Sequence, residues 1–147
     1  MRRVMPPTFF YLAIGLMALL RWLLPLWVFA PWPWNLLGLV PLIGGTWLAV
    51  AGSAAFQRAG TTVRPFSAST ALVTGGLYRY SRNPMYLGMV IGLLGVGVLL
   101  GAVSPFLMVP AFAALLHWRF IAVEERMLTE RFGAAYSDYQ RRVRRWL

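Results

Sequence analysis

The sequence predicts an all-α, polytopic membrane protein with about four transmembrane helices, a cytosolic loop and C-terminal amphipathic helices. Three observations predict it. Of 147 residues 59% are hydrophobic and 12% charged, and the mean hydropathy is +0.63. Soluble domains carry about a quarter charged residues, so this chain lacks the polar surface to cover a water-facing globule. Apolar runs recur at lengths near the roughly 20 residues that cross a bilayer. The arginines lie almost wholly between and beyond those runs. The length suits one membrane domain, residues 1–147.

The first apolar run extends over about residues 8–29, behind Arg2 and Arg3. No small-residue cleavage site follows, because Arg21, Trp22 and Pro25 interrupt, so this reads as a retained span. Arg21 can snorkel toward the far interface, and Ala30 to Asn35 form an uncharged turn whose tryptophans suit an interface belt. A second span covers about 36–56, where Gly38, Gly44, Gly45, Ala49, Gly52 and Ala55 permit close helix contact. Residues 57–83 form the one long polar stretch between spans, and loops of that length are usually functional. The third and fourth spans, about 84–100 and 105–123, are joined by Gly101-Ala102-Val103-Ser104 and read as an antiparallel hairpin. Pro84 suits the first turn of a helix.

Orientation follows from charge. Two arginines precede the first span, four lie in the central loop, and seven run from Arg119 onward. All three regions are therefore expected in the cytosol, with Arg21 the exception. The tail, 124–147, turns amphipathic: Gly133 is a helix stop, and Tyr136, Tyr139, Val143 and Trp146 follow at roughly helical spacing. That helix is expected on the membrane surface, with Arg141, Arg142, Arg144 and Arg145 reaching anionic lipid headgroups. Net charge +10 on such a chain reflects topology and lipid rather than nucleic acid. With no cysteine, one histidine and four acids lacking ligand spacing, a metal site is not expected.

Polar chemistry gathers in two stretches: Leu72 to Gly88, leading into the third span, and Glu124-Glu125, leaving the fourth. A hydrogen-bonding loop facing paired carboxylates at the rim of an apolar bundle suits a substrate with a polar head and a greasy body. The carboxylates can bind an ammonium, and the tyrosines can stack on a flat ring or a cation. In a regular α-helix His117, Phe120 or Ile121, Glu124 and Leu128 share one face, which would point the single histidine the same way as Glu124. His117 as a packing residue and Glu124 as a plain solvated charge are the competing readings.

The stretch Leu72-Val73-Thr74-Gly75-Gly76-Leu77-Tyr78-Arg79-Tyr80-Ser81-Arg82-Asn83-Pro84-Met85-Tyr86-Leu87-Gly88 resembles the signature of the isoprenylcysteine carboxyl methyltransferase and phospholipid methyltransferase superfamily. The tail agrees: Glu124-Glu125-Arg126-Met127-Leu128, Phe132-Gly133, Tyr136, Tyr139, Val143 and Arg145-Trp146. The resemblance covers about residues 60–146; the first two spans match only in hydropathy. It implies an integral membrane methyltransferase using S-adenosylmethionine, with S-adenosylhomocysteine as product and no metal. It further implies a lipophilic acceptor and a site between loop and tail. Cofactor contacts are then expected at Thr70, Ala71, Leu72, Val73, Tyr78, Asn83, Pro84, Met85, Tyr86 and Glu124, with Asn83, Tyr86 and Glu124 as the catalytic set.

Two departures bear on the acceptor. Many carboxyl methyltransferases of the group carry His where Asn83 stands, and Asn-Pro-Met-Tyr is closer to the phospholipid version. The family's substrate arginine precedes the glutamate pair by four residues, whereas Arg119 precedes Glu124 by five. The acceptor can thus be an isoprenylcysteine-like carboxylate, a phospholipid amine or another small lipophilic molecule. The alternatives are an NADPH-dependent membrane reductase of the sterol-reductase type and a non-enzymatic scaffold or transporter. The membrane is expected to be a bacterial or archaeal cytoplasmic one, with the site facing the cytosol; oligomeric state is open.

Overall fold

A computed structural model describes residues 5–60 and 71–147, and within them the chain is helical apart from connections and one isolated antiparallel bridge, Val28 to Ala102. Helix α1 is Pro6–Leu23, α2 is Leu39–Arg58, and α3 is Pro84–Leu100. Then α4, Met108–Leu116, passes through a π-turn, His117–Ile121, into α5, Ala122–Phe132, and α6 is Ala134–Arg142. Pro6–Leu23, Trp34–Arg58 and Ser104–Phe132 are long and apolar enough to cross a membrane, and Pro84–Leu100 is a shorter apolar helix. The expected all-α, polytopic membrane architecture is what the chain adopts.

The ends depart from hydropathy in instructive ways. α1 stops at Leu23, well before Phe29, because the segment from Leu24 turns back to pair with the α3–α4 connection: Phe29 N donates to Gly101 O at 3.0 Å and Val103 N to Leu26 O at 3.1 Å. Apolar composition alone cannot distinguish such a strap from more helix. Arg21 does more than snorkel. Its Nε donates to Leu100 O at 2.9 Å and Asn35 Nδ2 donates to Leu99 O at 3.0 Å, so both satisfy carbonyls left open at the end of α3. Gly101, at φ 68°, closes that helix in the left-handed region. At the other extreme α5 runs on to Phe132, where Gly133 (φ 51°) stops it as its sequence suggests.

The glycines of the second span serve contact with α3. Gly38, Gly45 and Gly52 recur every seven residues, which keeps them near one helix face. That face meets Gly95, Gly88 and Met85. A Cβ at Gly88 would lie 2.7 Å from Ala49 N, and one at Gly95 would lie 2.5 Å from Leu42 N. Both obstacles are backbone, so the two helix axes could not stay where they are. Where lipid replaces water, apolar burial drives little helix association, and close packing of this kind carries it. Gly44 belongs to the outer face, where a Cβ would meet nothing within 4 Å.

The core fills from α1, α3 and the long fourth helix: Met17, Leu93, Leu116, Phe120 and Ile121 are fully buried, and Phe9 meets Phe120 edge-on at 5.9 Å. A second cluster lies beyond the bundle, where Tyr136, Tyr139 and Val143 bury against Tyr78, Leu72 and Val73. This corrects the expectation that the last helix lies with its apolar face on the membrane. The helical spacing of its apolar residues is real, but the loop covers that face.

Overpacking against backbone costs about 1–3 kcal/mol, so Gly88→Ala is expected to lower unfolding stability in mixed micelles by that amount. Gly44→Ala is expected to stay within about 0.5 kcal/mol of the parent. Fluorescence-monitored denaturation of the matched pair checks both.

Candidate active site

The site begins at the cytosol-expected end of α3. Pro84 opens that helix, and Gly52 of α2 packs on Met85 and Pro84 there. Two residues into the helix, Tyr86 is buried and its hydroxyl donates to Glu124 Oε1 of α5 at 2.6 Å. This contact joins the two polar stretches of the sequence, as does the Arg82–Glu125 ion pair. Glu124 is half-buried, and no cation pairs with it among the described residues.

Its neighbour has the opposite fate. The carboxylate of Glu125, about nine-tenths buried, accepts Arg145 Nε at 3.0 Å and Nη2 at 2.5 Å, and ion-pairs with Arg82 Nη1 at 3.2 Å. A buried anion needs such partners, since desolvation otherwise exceeds any gain. Hydrogen bonding to Glu125 raises the Arg145 pKa above its ordinary value, outweighing burial, which lowers it. Adjacent positions on an α-helix point about 100° apart. One carboxylate is thereby saturated with arginine and the other left for something else.

The loop is held by tyrosines. Tyr78, on a 3-10 turn from Gly76 to Arg79, is buried, and its hydroxyl reaches Gly52 O at 3.4 Å while its carbonyl accepts Tyr139 Oη at 2.6 Å. Burial first, then the electrostatic influence of Tyr139 and Glu124, raise the Tyr78 phenol well above its usual range. Burial likewise raises Tyr139, and burial followed by Glu125 pushes Tyr136 up to about 12. All three phenols remain neutral at physiological pH.

Of the expected residues, Leu72, Val73, Tyr78, Asn83, Pro84, Met85, Tyr86 and Glu124 gather in this region. Ala71 is half-buried at the edge of the described loop, and Thr70 lies outside the described residues. Asn83 turns its amide to Arg145 O at 3.0 Å. Arg119 is exposed, with its guanidinium carbon 6.0 Å from the centre of the Phe120 ring. The histidine expectation is corrected. The π-turn from His117 to Ile121 bonds Ala122 N to His117 O, inserting one residue into the turn and shifting the face. His117 Nε2 therefore lies 3.1 Å from Arg145 Nη1, beside Glu125 rather than with Glu124. Next to it Ala113, Ala114, Trp118 and Trp146 line a shallow groove of about 280 Å³.

Sequence reasoning misses Glu125, Arg82 and Arg145 as a unit. It sends Arg145 to the headgroups with its neighbours; Arg141, Arg142 and Arg144 are indeed exposed, and Arg145 alone turns inward. The adjacency of Arg145 to Trp146 in the tail pattern is the available signal. Breaking a buried pair by removing one partner costs about 3–5 kcal/mol, so Glu125→Ala is expected to lose that much unfolding stability. Glu130→Ala, at an exposed position, is expected to lose almost none; the same denaturation assay compares them.

A phospholipid methyltransferase family model matches residues 34–135, which takes in α2 through α5 and the start of α6. The chain is 40% identical over 76 residues to a protein-S-isoprenylcysteine O-methyltransferase of Schizosaccharomyces pombe, covering 49% of this chain and 30% of that protein. It is 38% identical over 81 residues to the Tribolium castaneum protein of the same name (52% and 27%), and 40% identical over 76 residues to protein-S-isoprenylcysteine O-methyltransferase B of Arabidopsis thaliana (49% and 36%). The aligned stretch spans about a third of the length of these curated relatives. They are eukaryotic and lend no support to the bacterial or archaeal expectation. With the matched segment covering well over half of the sequence and holding both halves of the Tyr86–Glu124 contact, the chain belongs to the phospholipid methyltransferase family.

Proposed function

We propose that this chain catalyses methyl transfer from S-adenosylmethionine to a lipophilic acceptor at the cytosolic face of the membrane. The observation that carries the reading is Glu124: half-buried, hydrogen-bonded to Tyr86 and without a cation among the described residues, while the adjacent Glu125 binds two. A carboxylate so placed fits the ammonium of the donor's methionine portion. Tyr86 orients it, and the apolar groups around Leu72, Val73 and Tyr78 suit the adenine. Asn83, Pro84 and Met85 form the rim, and Ala71 extends it along the loop; Thr70, expected from the family resemblance, lies outside the described residues.

The donor supplies an already electrophilic methyl sulfonium, so what remains for the protein is alignment and exclusion of water. The tyrosine-lined loop and the closely packed α2–α3 pair do both, by enclosing one side of the site with side chains that carry few mobile charges. The groove beside Trp118 and Trp146 offers an alkyl or prenyl chain an apolar bed open to the bilayer. Among the acceptor classes, Asn83 favours the phospholipid-amine version and the curated relatives favour a carboxylate. An amine must lose a proton as it is methylated, and a carboxylate need not.

Isothermal titration of the detergent-solubilised chain with S-adenosylhomocysteine tests the donor site. A charge-assisted contact contributes about 1.5–3 kcal/mol, so Glu124→Gln should weaken binding about 10- to 150-fold. No heat of binding from folded wild type would sink the proposal. Labelled methyl transfer into a membrane lipid extract then separates the acceptors, because a methyl ester is released by base and an N-methyl group is not.

A further inference from the structure

Residues 81–83 are tied to the far end of the chain. Arg82 N donates to Arg144 O at 3.0 Å, Asn83 Nδ2 to Arg145 O at 3.0 Å, and Ser81 Oγ lies 3.5 Å from the same carbonyl. Asn83 is the N-cap of α3, a position where an Asn side chain ordinarily turns back to the helix's own amides. Here it makes no such bond, and its amide serves the tail instead. The tail has left the helical conformation by Val143 (φ −125°, ψ 130°), which frees its last carbonyls for the loop. What keeps those carbonyls in place is the Arg145 side chain, anchored on Glu125, together with the buried Val143.

The geometry points to Arg145 as a positioning residue for the donor site. It acts by locking the tail against both walls: against α5 through Glu125, the residue next to Glu124, and against α3 through Asn83, three residues before Tyr86. The lock sets the separation across which Tyr86 and Glu124 meet. This rests on the methyl-donor reading of that site. Loss of the guanidinium frees the tail and lets the donor loop relax, so the effect falls on donor affinity rather than on the chemical step.

The test uses the full chain in detergent, with S-adenosylhomocysteine as the titrant and donor KM and kcat measured in parallel. Arg145→Ala is expected to weaken binding about tenfold, as for loss of one charge-assisted hydrogen-bonded contact, with kcat at saturating donor changed by less than about threefold. Arg145→Lys keeps the charge without the fork geometry and is expected to recover part of the affinity, remaining about threefold weaker than wild type. In a double-mutant cycle Arg145→Ala and Asn83→Asp should be strongly non-additive, because both release the same tail carbonyl. Unchanged affinity in a folded Arg145→Ala chain overturns the proposal, as does strict additivity, or a fall in kcat at constant donor KM. If the alanine variant does not fold, wild-type affinity in Arg145→Lys overturns it equally. Failure of wild type to bind at all would instead overturn the donor reading itself.

Discussion

Three stretches of chain far apart in sequence meet on the carboxylate of Glu125: the loop through Arg82, the fourth membrane helix through Glu125 itself, and the tail through Arg145. Ion pairs at an exposed surface contribute little, but burial changes the balance. Once the carboxylate is out of water, it must be matched from more than one side or not be there. The two guanidiniums that match it draw the loop and the tail onto the helix end. The tyrosine cluster then packs over them, and the polar end of the molecule becomes a built structure rather than a set of solvated charges.

The same arrangement explains why two consecutive glutamates behave differently. Glu125 is consumed in holding the walls together, and the turn of the helix presents Glu124 to Tyr86 instead. The π-turn just before them supplies the phase. Without the inserted residue, His117 would come round to the Glu124 side; with it, the ring joins Arg145. A local backbone irregularity thus decides which side chains share a space. The glycine contact between α2 and α3 has a comparable reach, since it sets the approach of Gly52 to Met85 and hence the height at which Tyr78 can find Gly52 O.

The family match ends at residue 135, short of Tyr139, Val143 and Arg145. Those residues nevertheless make the contacts that hold the matched loop. The part of the chain outside the matched segment is therefore integral to the site's geometry, and its arginines divide into one that is structural and neighbours that face outward.

By itself the sequence determined the helical membrane class, the positions of α2 and α3, the stop at Gly133, and the two polar stretches that meet in the candidate site. Each of these depends on local chemistry: apolar run length, Pro and Gly preferences, and an ordered signature of residue types. It also named Tyr86 and Glu124, and the structure alone pairs them. Only the tertiary structure decided that α1 yields to a strap, that α6 buries its tyrosines against the loop, that Arg145 turns inward, and that His117 leaves the Glu124 face. Those outcomes depend on what lies opposite each side chain and, for His117, on one extra residue in a helical turn. Periodicity assumes a regular helix and knows nothing of its neighbours.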